Sequence, residues 1–155
     1  MRTLNPEYAA AVGKVVNASP YPHLLSMKLV RLEIGACELT IEVQPKHFQP
    51  FGLVHGGVLA TLIDTATFWA IFSEIDEDKG LTSVDLKLNY LAPVTSGTLT
   101  AKGKRIKTGR TLSLSEAEIS NENGKILAYG LSTLMTLPSS NLLPTDMPLP
   151  NKFLP

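Results

Sequence analysis

The chain has 155 residues, enough for one domain that buries a sizeable core. Its 14 Lys+Arg balance 14 Asp+Glu, which removes the global charge that would draw it to nucleic acid or a membrane surface. A single cysteine excludes an internal disulfide framework, and no apolar run reaches membrane-spanning length or resembles a signal-peptide core, so a reducing, cytoplasmic setting is expected.

Asn5-Pro6-Glu7 opens a helix: a capping asparagine, proline at the first helical position, then an acid in the first turn. Tyr8, Val12, Val15 and Val16 follow at helical spacing, and Ser19-Pro20-Tyr21-Pro22 should end the element. From Ser26 the period drops to two. Lys28, Val30, Leu32 and Ile34 alternate with Met27, Leu29, Arg31 and Glu33. Gly35-Ala36 turns the chain, and Cys37, Leu39, Ile41 and Val43 alternate with Glu38, Thr40 and Glu42. This is a hairpin with one buried face, in which Cys37 reads as a small apolar residue. Residues 44 to 54 form a loop with two prolines; His47 within it, like His23, has no role beyond that of a surface or loop histidine.

A long apolar helix follows, from about Gly57 to Ser73 or Ile75, and between Val58 and Ser73 its only charge is Asp64. A helix apolar on nearly every side should be wrapped by the rest of the protein, and a carboxylate there needs a partner. Acids from Glu74 to Asp78, then Lys79-Gly80, close it. Four strands come next. Val84, Leu86, Leu88 and Tyr90 face opposite to Ser83, Asp85, Lys87 and Asn89; residues 98 to 107 form a strand; so do 111 to 120, where a change of phase between Leu112/Leu114 and Ala117/Ile119 suggests a bulge. After the Asn123-Gly124 turn, residues 125 to 137 put Leu127, Tyr129, Leu131, Met135 and Leu137 on one side. The proline-rich tail, 138 to 155, is no sheet interior; it is either disordered or an arm lying on a neighbouring surface. The sum is an α+β domain over residues 1 to 137: an N-terminal helix and an antiparallel sheet of about six strands wrapped around one long helix. Its uncovered sheet surface points to pairing between subunits.

The segment His55-Gly56-Gly57, with Thr61-Leu62 and Asp64-Thr65-Ala66 behind it, resembles the signature of hotdog-fold acyl-CoA thioesterases of the PaaI-like and Them2-like group, within the 4-hydroxybenzoyl-CoA thioesterase superfamily. Thr82-Ser83-Val84-Asp85-Leu86 and Asn89-Tyr90-Leu91-Ala92-Pro93 strengthen the likeness, which runs to about residue 137. It implies a hotdog fold, a homodimer or homotetramer, an acyl-CoA substrate and no cofactor or metal. It also implies that the Gly56 N–H at the helix head holds the thioester oxygen, as helix N-termini and close-approaching glycines can. Asp64 lies eight residues on, about 12 Å along the helix, so it would serve a substrate held by a second subunit, as general base for water or as nucleophile. The bland alternative is an Asp bonded to Thr61, Thr65, Thr67 or backbone.

His55 would orient the loop or touch the substrate, Gln49 stands where the group often has Asn, and Ser83 would position water or be an ordinary solvent-side serine. Gly57, Thr65 and Phe68 are substrate-contact candidates; Phe68, Trp69 and Phe72 either bound the acyl pocket or are plain core or interface residues. Lys104, Arg105, Lys107 and Arg110 suit the phosphates of coenzyme A or form a solvated hairpin tip. A hotdog dehydratase or hydratase, and a non-catalytic acyl-CoA-binding module, are the alternatives; the first lacks its His–acid arrangement here, and the second has no need of a costly carboxylate.

Overall fold

In the computed structural model, which describes residues 2–138 and 148–155, α1 (Pro6–Ala18) begins where expected, with the Asn5 side chain accepting from Glu7 N at 3.0 Å. Ser19-Pro20 does not end helical structure outright. It starts a second short helix, α2 (Pro20–Leu24), because proline also fits the first position of a new helix. The six strands are β1 (Lys28–Glu33), β2 (Ala36–Glu42), β3 (Gly80–Tyr90), β4 (Thr98–Lys107), β5 (Leu112–Ser120) and β6 (Ile126–Leu137). They form one antiparallel sheet in the order β1-β2-β4-β5-β6-β3, so β1 and β3 are its edges. The long helix α3 (Gly56–Phe72) packs on one face of this sheet, the hotdog arrangement.

What lets α3 lie so close is the row of small residues beneath it. A Cβ on Gly103 of β4 would stand 2.2 Å from the backbone oxygen of Ala66, and one on Gly130 of β6 would stand 2.7 Å from Ile63 Cγ2. Ala101, Ala117, Ala128, Ser113, Ser115 and Ser132 complete the buried inner face. This corrects two facings expected from the apolar pattern. On β6 the inward row is Ala128, Gly130, Ser132 and Leu134, and Met135 is exposed. On β5 the inward row Ser113, Ser115, Ala117, Ile119 is unbroken and Leu112 points out, so the expected change of phase is absent. Small and hydroxylated side chains won the inner face because the helix backbone needs the room. A shift of register in β1, between Leu29 and Arg31, likewise buries Leu29 with Leu32 and turns Val30 out.

The helix is not wrapped on every side. Gly57 is exposed, and Thr61, Asp64, Thr65 and Phe68, which follow it at three- and four-residue spacing, are half-buried, so one stripe of α3 stays open. Phe68 stacks on Phe72, with ring centroids 5.6 Å apart, and both meet Trp69 edge-on. Among the described residues no helix is long and apolar enough to cross a membrane.

The last residues of the tail lie on the chain's own N-terminal segment. Phe153 bridges Leu4, Asn5 N donates to Lys152 O at 2.8 Å, and Leu154 N donates to Thr3 O at 2.9 Å. Residues 139–147 of the expected tail lie outside the described residues. Lys152 is only 1% exposed, with its ammonium on the Phe72 and Ile75 carbonyls beyond the end of α3 and 4.5 Å from the Phe72 ring centroid. Helix C-terminal carbonyls favour a cation, yet burial outweighs them and pulls the Lys152 pKa down to about 8, with Glu77 and Asp76 opposing the fall.

Two outcomes are expected. Gly103→Ala, which drives a methyl into the Ala66 carbonyl, costs about 3 kcal/mol in urea unfolding; an unchanged midpoint would mean the helix can back away freely. For Lys152, the folded state releases its proton near pH 8 and the unfolded chain near 10.5. Stability from this group is therefore full above the higher value and lost as pH falls through the lower. Burial raises the Tyr8 hydroxyl to about 12 and also raises the Cys37 thiol, and these two act in the opposite sense at alkaline pH. The informative quantity is thus wild type minus Lys152→Met, which should rise by about 1 kcal/mol per pH unit between these limits. A flat difference would show that the ammonium is not desolvated.

Candidate active site

Asp64 sits on the open stripe of α3, and among the described residues its carboxylate has one side-chain partner: Ser83 Oγ donates to Oδ1 at 2.8 Å. The helix threonines do not serve it. Thr61 Oγ1 donates to Gly57 O at 2.9 Å and meets the Tyr21 hydroxyl of α2 at 3.0 Å, while Thr67 Oγ1 donates to the carbonyls of Ile63 and Asp64. Ser83 is solvent-exposed, yet it lies on the α3 side of the sheet and not on the outer face that strict alternation gives. Its register partner on β6 is the buried Leu134, and Asp85 pairs with Thr133, so Val84 is an extra residue between them. This bulge changes the phase of β3. Ser83 faces α3 before it, and Leu86, Leu88 and Tyr90, opposite Ser132, Gly130 and Ala128, face α3 after it.

At the other end of the stripe, His55 is the N-cap of α3: its Nδ1 accepts from Gly57 N at 2.8 Å. That bond fixes the neutral tautomer with the proton on Nε2. It also explains Gly57, since a Cβ there would come within 2.9 Å of the same nitrogen. Val58 N donates to His55 O at 2.9 Å. Of the first three helix amides, Gly56 alone keeps an N–H without a partner among the described residues.

Gly56 lines a groove of about 390 Å³ with Gln49, Leu53, Leu59, Tyr90 and Pro93. Gln49 Oε1 accepts from Phe51 N, which leaves the amide NH₂ for other acceptors. The loop that presents Gln49 is pinned by His47. This histidine is buried, not at the surface: Nδ1 accepts from Gln44 N at 3.0 Å, Nε2 donates to Leu25 O at 2.8 Å, and its carbonyl accepts from His55 N at 2.8 Å. The spacing of Gln44 and His47 around Pro45 was the available signal for that turn.

Within one chain the expected site residues thus fall into two groups, Gly56, Gln49 and His55 at the helix head and Asp64 with Ser83 farther along; Thr65 and Phe68 continue the stripe beyond Asp64. The basic cluster lies apart from the helix head. Arg105 pairs with Glu74 at 3.0 Å just past the far end of α3, where Thr108 Oγ1 also donates to Glu74, and Lys107 and Arg110 are exposed around the β4–β5 turn. Among the described residues no three His, Cys, Asp or Glu side chains gather as a metal site.

A family model described as "Thioesterase superfamily" matches residues 51–128, which hold every residue of both groups except Gln49. The chain is 30% identical over 136 residues to human acyl-coenzyme A thioesterase 13, covering 86% of this chain and 96% of that protein. It is 29% identical over 110 residues to a 1,4-dihydroxy-2-naphthoyl-CoA hydrolase from Listeria monocytogenes, covering 71% of this chain and 89% of the relative. A crystal structure of a thioesterase from Haemophilus influenzae superposes with a TM-score of 0.80 at 26% identity, over 95% of this chain and all of that one.

The cap is open to a direct check. His55→Ala should lower unfolding stability by about 1 kcal/mol, and His55→Asn, which keeps a capping acceptor, should recover most of it. Equal stability of all three proteins would remove His55 from the capping role.

Proposed function

The chain belongs to the thioesterase superfamily, and from that premise we propose that it hydrolyses acyl-CoA thioesters, with Asp64 as general base and the Gly56 N–H as donor to the thioester oxygen. The observation that carries this is the Ser83–Asp64 hydrogen bond, which aims a half-buried carboxylate into an open stripe rather than into the core. With Oδ1 held by Ser83, Oδ2 is free to take a proton from water. That water adds to the carbonyl carbon, and the oxygen that gains charge lies against the Gly56 amide at the positive end of α3. Collapse of the tetrahedral intermediate expels the coenzyme A sulfur, which takes up a proton. The reaction calls for no metal and no cofactor besides the coenzyme A of the substrate. Both named relatives carry a CoA thioester in their names, which supports the same carrier here.

Gly56 and Asp64 are too far apart on one helix to meet at one carbonyl. The proposal is therefore a homodimer, itself able to pair into a tetramer, in which the helix head of one protomer serves the Asp64 of its partner. Edge strand β3, with one side unpaired and Val84 exposed at 58%, and Leu91 just past its end exposed at 57%, support this packing. Lys107 and Arg110, with Arg105 if it leaves Glu74, are proposed to meet the phosphates of coenzyme A. The buried thiol of Cys37 suits a reducing cytoplasm.

Thiol release from octanoyl-, palmitoyl- and phenylacetyl-CoA measures the activity. Asp64→Asn should lower kcat by about 10² to 10⁴. Single turnover in ¹⁸O-water should label the free acid and leave the Asp64 peptide unlabelled; label in that peptide would make Asp64 the nucleophile instead. Co-expressed Asp64→Asn and Gly56→Ala chains should regain activity that neither has alone, and failure to complement would rule out a shared site.

A further inference from the structure

We propose that Tyr90 supplies a second hydrogen bond to the thioester oxygen beside the Gly56 N–H, an inference that rests on the acyl-CoA hydrolase reading of the same site. The Val84 bulge is what brings it there. Tyr90 lies seven positions after Ser83, so a regular strand would put them on opposite faces, whereas the register shift turns both toward α3. The Tyr90 ring then lies over Gly56: a Cβ at that position would stand 3.0 Å from both Cζ and the hydroxyl oxygen. This contact gives Gly56 a second reason to be glycine, besides the approach of substrate to its amide.

The hydroxyl is free to act. Those of Tyr21 and Tyr129 are held by Thr61 and Glu116, at 3.0 Å and 2.5 Å, while that of Tyr90 has no partner among the described residues, and the residue is 57% exposed. The contact sets an upper limit on its distance from the Gly56 amide. The Cβ direction ends about 2.5 Å from the same residue's N, which places the phenol oxygen within about 5.5 Å of that amide. One oxygen accepts from two donors at about 2.9 Å each when they are as much as about 5.8 Å apart. Apart from Gln49 the rest of the groove wall is apolar, with Leu53, Val54, Leu59, Leu91, Pro93 and Val94. Tyr90 O–H, Gly56 N–H and the spare Gln49 amide are its donors toward a carbonyl.

Two measurements on the full-length protein test this. Tyr90→Phe keeps the ring and removes the donor. Octanoyl-CoA hydrolysis by this variant should show kcat lowered at least about tenfold, KM within about twofold of wild type, and an unchanged unfolding midpoint. The second uses S-(2-oxononyl)-CoA, a ketone that cannot be hydrolysed. Its carbonyl stretch should move to lower frequency on binding the wild-type protein and move back in part in Tyr90→Phe. A variant with wild-type kcat, an identical stretch in both proteins, or a ketone that does not bind would overturn the role of Tyr90. Should the wild type hydrolyse no acyl-CoA yet show the Tyr90-dependent shift, the donor role stands and the hydrolase reading falls. Should Asp64→Asn abolish hydrolysis while Tyr90→Phe leaves it intact, the reverse holds.

Discussion

The contact on which the rest depends is backbone against backbone, where α3 presses the Ala66 carbonyl onto the sheet at Gly103. Ordinary side chains there would lift the helix away, and Asp64 would move off Ser83. Because glycine, alanine and serine interrupt the larger apolar residues of the inner face, the helix can lie low enough for a strand hydroxyl to reach a helix carboxylate at 2.8 Å. The cost falls on the other side of α3, where the stripe from Gly57 to Phe68 stays uncovered within a single chain. The same packing that builds the core therefore leaves the chemical groups open.

The two ends of α3 are finished differently, and the difference matters for function. At the C-terminus, Lys152 arrives from the far end of the chain and satisfies the carbonyls of Phe72 and Ile75 with a buried ammonium. At the N-terminus, His55 takes the Gly57 amide and its own carbonyl takes the Val58 amide, yet the Gly56 N–H is left over among the described residues. A helix end that spends every donor on its own cap has none for a substrate. Here the cap stops one amide short among the described residues, at a residue whose missing side chain makes room for the Tyr90 ring.

Strand β3 links the two halves of the site through one irregularity. An extra residue at Val84 lets Ser83 orient Asp64 while Tyr90 covers Gly56. It also interrupts the regular β3–β6 ladder next to the sheet edge.

Much of this was legible in the residues alone. Asn5-Pro6 marked the first helix, the period-two rows marked the strands, Asn123-Gly124 marked a hairpin, and the His55-Gly56-Gly57 start marked the long helix that carries the candidate site. These signals are local: caps, turns and periodicity act within a few residues, so the sequence displays them directly. The facing of Ser83, the inward row on β6, the burial of His47 and the docking of Lys152 were decided elsewhere. Each depends on a neighbour distant in sequence, whether Leu134 opposite Ser83, the helix backbone over Gly130, the Leu25 carbonyl or the end of α3. An alternating pattern assigns apolar residues to the core by default. Only the assembled packing shows that the space beneath α3 was too narrow for them, and that small polar residues had to take their place.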